Sequence, residues 1–242
     1  MAFSEWITGA TTYIPGHSAA GTMNGAMELE VRASGTSFAG TMYARLDTTF
    51  PHNAGFNQGR IRTLVQRRYT QTNSRSRTGA GIYFGANTTN ILTASDFWFF
   101  GINIRSQSTA EWGLGRGRNQ TLGSLQWNHA DTSSDNLIKG NITPVTESNP
   151  VQGSSWAMQV EWDYDPTGLR HGGMRIRCSV GVQNDLDFSN LSVIYDVIDS
   201  FRLTSGSITS EGLAFIKNEG VPGFTTGDLF YWDDSEIAEL TA

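Results

Sequence analysis

The sequence predicts an all-β fold, an antiparallel two-sheet β-sandwich. Three observations carry this. Apolar and polar residues alternate over many short segments, the mark of strands with one buried face. The chain holds 27 Gly, 13 Phe, 7 Trp and 7 Tyr, which suits short strands and tight turns. No segment sustains a helical period with capping residues at both ends. All-β sandwiches often reach 242 residues as one domain, so residues 1–242 are read as a single jelly-roll domain.

In chain order, Met27, Leu29 and Val31 alternate with Glu28, Glu30 and Arg32, and Tyr43 and Arg45 with Met42, Ala44 and Leu46. Segment 61–69 is a strand carrying arginines, and the aromatic segments 81–86 and 96–104 are expected to be buried on both faces. Further strands are expected at 111–115, 122–128, 191–198, 212–217 and 228–239, with a polar loop over 129–153. The clearest alternation runs over 156–164, where Trp156, Met158, Val160, Trp162 and Tyr164 share one face and Ala157, Gln159, Glu161 and Asp163 the other. Asp165 to Gly168 (Asp-Pro-Thr-Gly) is turn chemistry, since Pro presets φ and Gly accepts positive φ. Met174, Ile176, Cys178 and Val180 then alternate with Arg175, Arg177 and Ser179, completing a predicted hairpin.

A net charge of −6 disfavours a general polyanion binder, so nucleic acid is not an expected partner. No stretch reaches the length of a membrane span, and the N-terminus lacks the basic and apolar regions of a secretory signal. Cys178 is the single cysteine, which rules out a disulfide framework and suits a small buried hydrophobe. The four histidines, His17, His52, His129 and His171, lack the spacing of zinc pairs and are expected to face solvent.

Charge is unevenly spread. Arg60, Arg62, Arg67, Arg68, Arg75 and Arg77 fall in a stretch without acids, whereas Asp228, Asp233, Asp234, Glu236 and Glu239 crowd the C-terminus. Basic and acidic surfaces of this kind can meet between subunits. Arg60, Arg62, Arg67, Arg68, Asp233, Asp234 and Glu236 are therefore the candidate interface residues of a homo-oligomer. The competing reading is that charges on the strand block edge-to-edge aggregation. Trp98, Trp112, Trp127 and Trp232 are candidate platforms for sugar rings, with the core as their other destination.

The opening SEWITG, the pair GIYFGA and DFWFFGINI, the strand WAMQVEWDYDPTG with MRIRCSVG, and the ending GFTTGDLFYWDDSEIAEL together resemble the concanavalin A-like lectin/glucanase superfamily, of the laminin-G-like kind. The resemblance implies a last strand lying beside the N-terminal one. Glucanases of that superfamily carry E-x-D-x-x-E. Glu161 and Asp163 match its first two acids, but the third position is Pro166. A retaining hydrolase needs both a nucleophilic and a protonated carboxyl, so no catalytic residue and no enzymatic activity are expected. No cofactor is expected either. Structural calcium, which many proteins of the superfamily bind, has as candidates Asp185 with Asp187, Asp196 with Asp199, and Asp233 with Asp234 and Glu236.

This jelly-roll type also resembles structural proteins of tailed bacteriophages. With no export signal and no acid pair, the expectation is a non-enzymatic virion protein, a capsid cement or decoration protein or a tail appendage, assembled in the host cytoplasm. Its partners would be copies of itself and other virion proteins. The alternative is a lectin-like module that binds a polysaccharide, as in host attachment.

Overall fold

The computed structural model describes residues 13–15, 29–32, 43–53, 55–69, 78–89, 95–106, 109–120, 155–183, 185, 187–204, 206–219 and 228–240. The predicted strand at 122–128 and loop at 129–153 lie outside them. Twelve strands are described: β1 (Tyr13–Pro15), β2 (Leu29–Arg32), β3 (Tyr43–His52), β4 (Gln58–Tyr69), β5 (Thr78–Ala86), β6 (Ser95–Ser106), β7 (Thr109–Gln120), β8 (Ser155–Asp165), β9 (Gly173–Val180), β10 (Ser192–Asp199), β11 (Ser210–Glu219) and β12 (Asp228–Glu239).

The strands form two antiparallel sheets, a seven-stranded one in the order β1-β2-β12-β4-β8-β9-β10 and a five-stranded one in the order β3-β11-β5-β6-β7. The chain is the two-sheet sandwich its alternation predicts. β12 pairs with β2 on one side and β4 on the other, so the last strand returns beside an N-terminal one. The hairpin is β8–β9, with Val160 opposite Cys178 and Trp162 opposite Ile176.

The core lies between the sheets. Trp156, Met158, Val160, Trp162 and Tyr164 from β8 meet Ile82, Phe84, Trp98, Phe100, Trp112 and Leu114 from the smaller sheet. Each fully buried large apolar side chain contributes about 1.5–3 kcal/mol. Phe84 stacks on Trp162 with ring centroids 5.4 Å apart, and Trp112 meets Trp156 edge-on at 6.4 Å. Cys178 is buried among them, and desolvation pushes its thiol well above the usual range.

β5 and β6 are buried on both faces, as expected: Tyr83, Phe97 and Phe99 are buried although they point away from the central core. Glycine makes this packing possible. A Cβ on Gly117 would stand 2.3 Å from a Phe97 ring carbon, so that ring lies flat over the bare backbone of β7.

Polar stitches close the side of the sandwich where β7 and β10 end their sheets. Tyr195 Oη donates to the Trp112 carbonyl at 3.0 Å. Asp199 accepts from Arg116 and, at 2.8 Å, from Trp98 Nε1. The connection after β10 is fastened alongside. Leu203 N donates to Tyr164 Oη at 3.0 Å, and Thr204 N to the buried Asp96 at 2.8 Å.

Candidate ligand-binding face

The outward side chains of β4, β8, β9 and β10 make a charged array on the larger sheet. Alternation requires this. With Trp162 and Ile176 turned inward, Glu161, Asp163, Arg175 and Arg177 turn outward, and register sets Glu161 opposite Arg177 and Asp163 opposite Arg175. An open groove of about 230 Å³ lies there, lined by Glu161, Trp162, Asp163, Arg175, Arg177 and Leu240.

Ion pairs run across the array. Arg177 lies 3.8 Å from Glu161 and 3.2 Å from Asp196, and Arg175 lies 3.4 Å from Asp196. The Arg175 hydrogen bond, working against slight burial and reinforced by Arg177, holds the Asp196 carboxyl below the usual range. At the groove's end, Asp163 accepts from Gln58 Nε2 at 3.0 Å and Arg170 Nη1 at 2.5 Å, and His171 Nε2 stands 3.2 Å away. Burial alone would raise the Asp163 carboxyl. The hydrogen bonds from Gln58, His171 and Arg170, with the Arg170 charge, outweigh it and leave the carboxyl lowered.

Arg170 and His171 are positioned by Asp165. The Gly172, His171, Arg170 and Gly168 backbone N–H groups and the Thr167 hydroxyl all donate to its carboxylate, at 2.7 to 3.0 Å. The Gly172 N–H leads, and with the other donors it outweighs the opposing effect of burial and drives the carboxyl far below its ordinary range. Gly168 and Gly172, at φ of +78° and +69°, let the backbone curl around that carboxylate. His171 therefore does not face solvent. Its side chain is 12% exposed and turned onto Asp163.

The other end of this face is covered. Leu64 and Ala157 pack outward against Phe188 and Leu191, and Arg62 lies 4.9 Å over the Phe188 ring. The Asp185 and Asp187 carboxylates hold that segment by accepting from the Asp187 N–H and from Ser189.

The candidate interface residues are partly brought together within one chain. Arg60 and Arg62 both pair with Glu236, at 2.6 and 2.5 Å, because β12 lies against β4. Burial raises the Glu236 carboxyl, but the two arginines more than offset this and lower it. The complementarity expected between subunits is, for these three residues, satisfied inside the molecule. Arg67 and Arg68 stand opposite Phe230 and Leu229, and Asp233 opposite Leu64. The side chains of Arg67, Arg68, Asp233 and Asp234 lie outside the described residues.

The aromatic candidates move to the core. Trp98, Trp112 and Trp232 are at most 3% exposed and offer no ring to a sugar. Trp98 and Trp112 shared inward parity with Phe100 and Leu114, a signal the sequence already held. Trp127 lies outside the described residues. Calcium does not fit the acid pairs that can be placed. Asp196 is taken by arginines, Asp199 by Arg116 and Trp98, and Asp185 and Asp187 by their own turn. Among the described residues no three His, Cys, Asp or Glu gather to hold a metal.

Arg170, Arg175, Arg177 and Leu240 were not singled out from sequence as ligand-facing. For Arg175 and Arg177 the signal was their alternation with Met174, Ile176 and Cys178. Leu240 reaches the groove, and Arg170 the groove-lining Asp163, through contacts that carried no local pattern.

No family model and no curated protein matches the chain. Among solved structures it is similar to the VIP36 exoplasmic/lumenal domain in a Ca2+/Man-bound form, at 8% identity, with 89% of this chain and 75% of that one covered and a TM-score of 0.48. It is similar to a legume lectin-like domain from Entamoeba histolytica, at 6% identity, 88% and 84% coverage and a TM-score of 0.46. A Saccharomyces cerevisiae protein of unknown function is also similar, at 11% identity, full coverage of both chains and a TM-score of 0.47.

Proposed function

We propose that this protein is a non-enzymatic polysaccharide-binding module whose ligand lies in the groove on the outer face of the seven-stranded sheet. The observation that carries the reading is the lining itself. Carboxylates Glu161 and Asp163 stand opposite guanidiniums Arg177 and Arg175 beside the apolar Leu240. Sugar hydroxyls donate and accept at once, so a lining that sets strong acceptors next to strong donors can satisfy both. Two acids against two bases leave the lining without net charge, which suits a neutral glycan.

Hydrolysis is a poorer use of the same residues. A general acid must hold its proton at working pH, whereas the donors around Asp163 push its carboxyl the opposite way. The E-x-D-x-x-E pattern also meets Pro166 where its last acid belongs.

Affinity electrophoresis against neutral and acidic polysaccharides tests the proposal. Retardation by a neutral polysaccharide, without release of reducing sugar, is expected. No retardation by any polysaccharide would overturn it, and sugar release would replace binding with catalysis.

A second reading, adhesion within a virion, is favoured by a different observation. β10, which ends its sheet among the described residues, exposes Val193 and Ile198, each 56% accessible, and apolar strand edges recruit other chains. Purified particles of a phage encoding this chain would contain it on this reading, and its absence from them would sink the reading.

A further inference from the structure

From the register of β10 we infer that this strand is a self-recognition edge, pairing antiparallel with β10 of a second copy about a two-fold axis at Asp196. Among the described strands β10 has β9 as its one ladder partner and ends its sheet. Its sequence, SVIYDVID, contains no Lys, Arg or Pro to blunt the edge, and its two acids, Asp196 and Asp199, are each neutralised by arginines of the same chain.

The outward side chains of this edge form a palindrome. Val193 stands opposite Ser179, Asp196 opposite Arg177 and Ile198 opposite Arg175. Measured along β9, Val193 and Ile198 therefore lie two ladder positions to either side of Asp196. The irregularity between Val193 and Tyr195 brings Val193 onto this face three residues from Asp196 instead of two. A second copy laid antiparallel across the axis places Ile198 against Val193 of its partner at both ends, so the two most exposed apolar groups of the strand cover each other. An isologous contact of this kind needs only one self-complementary patch.

The acid on the axis does not oppose the pairing. Asp196 would meet its own copy, but each carboxylate is already held by Arg175 and Arg177 of its own chain. Four guanidiniums would surround two carboxylates. A second copy is thus favoured over an unrelated strand, since the apolar ends and the neutralised centre repeat in the order that a two-fold requires.

Sedimentation velocity on the full chain tests this with two double variants that remove the same apolar surface. Val193→Lys with Ile198→Lys places like charges opposite across the axis, and Val193→Glu with Ile198→Lys places opposite charges there. Within one chain the two sites are four ladder positions apart, about 13 Å, too far to pair. The wild-type chain is expected to dimerise, the Lys/Lys variant to sediment wholly as monomer, and the Glu/Lys variant to recover the dimer. Asp196→Cys adds a probe of register. Directly opposed residues have Cα atoms about 4.5–5.5 Å apart, within disulfide range, so mild oxidation should yield a covalent dimer while the buried Cys178 stays unreacted. A monomeric wild type, a Lys/Lys dimer, a monomeric Glu/Lys variant or an Asp196→Cys chain that does not cross-link would each overturn the inference.

Discussion

Two arginine–aspartate pairs at the β10 side of the molecule use the same chemistry to different ends. Arg116 and Asp199 are 10% and 7% exposed, with Trp98 completing the carboxylate and the Phe201 ring 4.6 Å beneath the guanidinium. Arg177 and Asp196, three residues earlier along β10, are 43% and 39% exposed and 3.2 Å apart. Water competes for the second pair and not for the first. Removing one partner of a buried pair strands a charge where nothing solvates it, whereas an exposed pair contributes little and re-forms readily. The inner pair therefore joins the sheets, and the outer array is free to exchange its contacts for those of a ligand.

The largest break in that comparison is Asp199→Ala. It leaves Arg116 and the Trp98 indole without their carboxylate, and the denaturant midpoint should fall by the equivalent of about 3–5 kcal/mol. Gly117→Ala comes next. The new Cβ meets the Phe97 ring at 2.3 Å, and overpacking of this kind costs about 1–3 kcal/mol, read from the same unfolding curve.

Asp165→Asn probes the loop that carries Arg170 and His171. Because the folded carboxyl titrates below its ordinary value, its stabilisation is complete above the unfolded value of about 3.9 and is lost as pH falls toward the lower folded value. The variant should melt below wild type at pH 7, and the two melting curves should converge in acid. Asp196→Ala is the smallest change, below about 1 kcal/mol, and a larger loss would erase the distinction between the two pairs.

The hairpin was legible because each residue of 156–164 and 174–180 obeys one period, and the turn between them uses Pro and Gly in their ordinary roles. The double burial of β5 and β6 was legible from their unbroken aromatic runs. What the sequence hid was strand order. Arg60, Arg62 and Glu236 read as surfaces for different molecules because nothing local says that β12 lies beside β4. The role of Asp165 was hidden for a related reason. Its turn was recognisable, but the convergence of backbone N–H groups up to Gly172 on one carboxylate depends on the curl of the whole loop. Asp199, Arg116 and Trp98 come from three strands and carried no joint signal.

On the proposed function, the outer charged face binds polysaccharide while contributing little to stability. Polysaccharide retardation and thermal melting measured together on Arg177→Ala separate these two properties. Retardation is expected to be lost while the melting temperature stays near that of wild type. Undiminished retardation, or loss of binding only because the fold itself has melted, would contradict it.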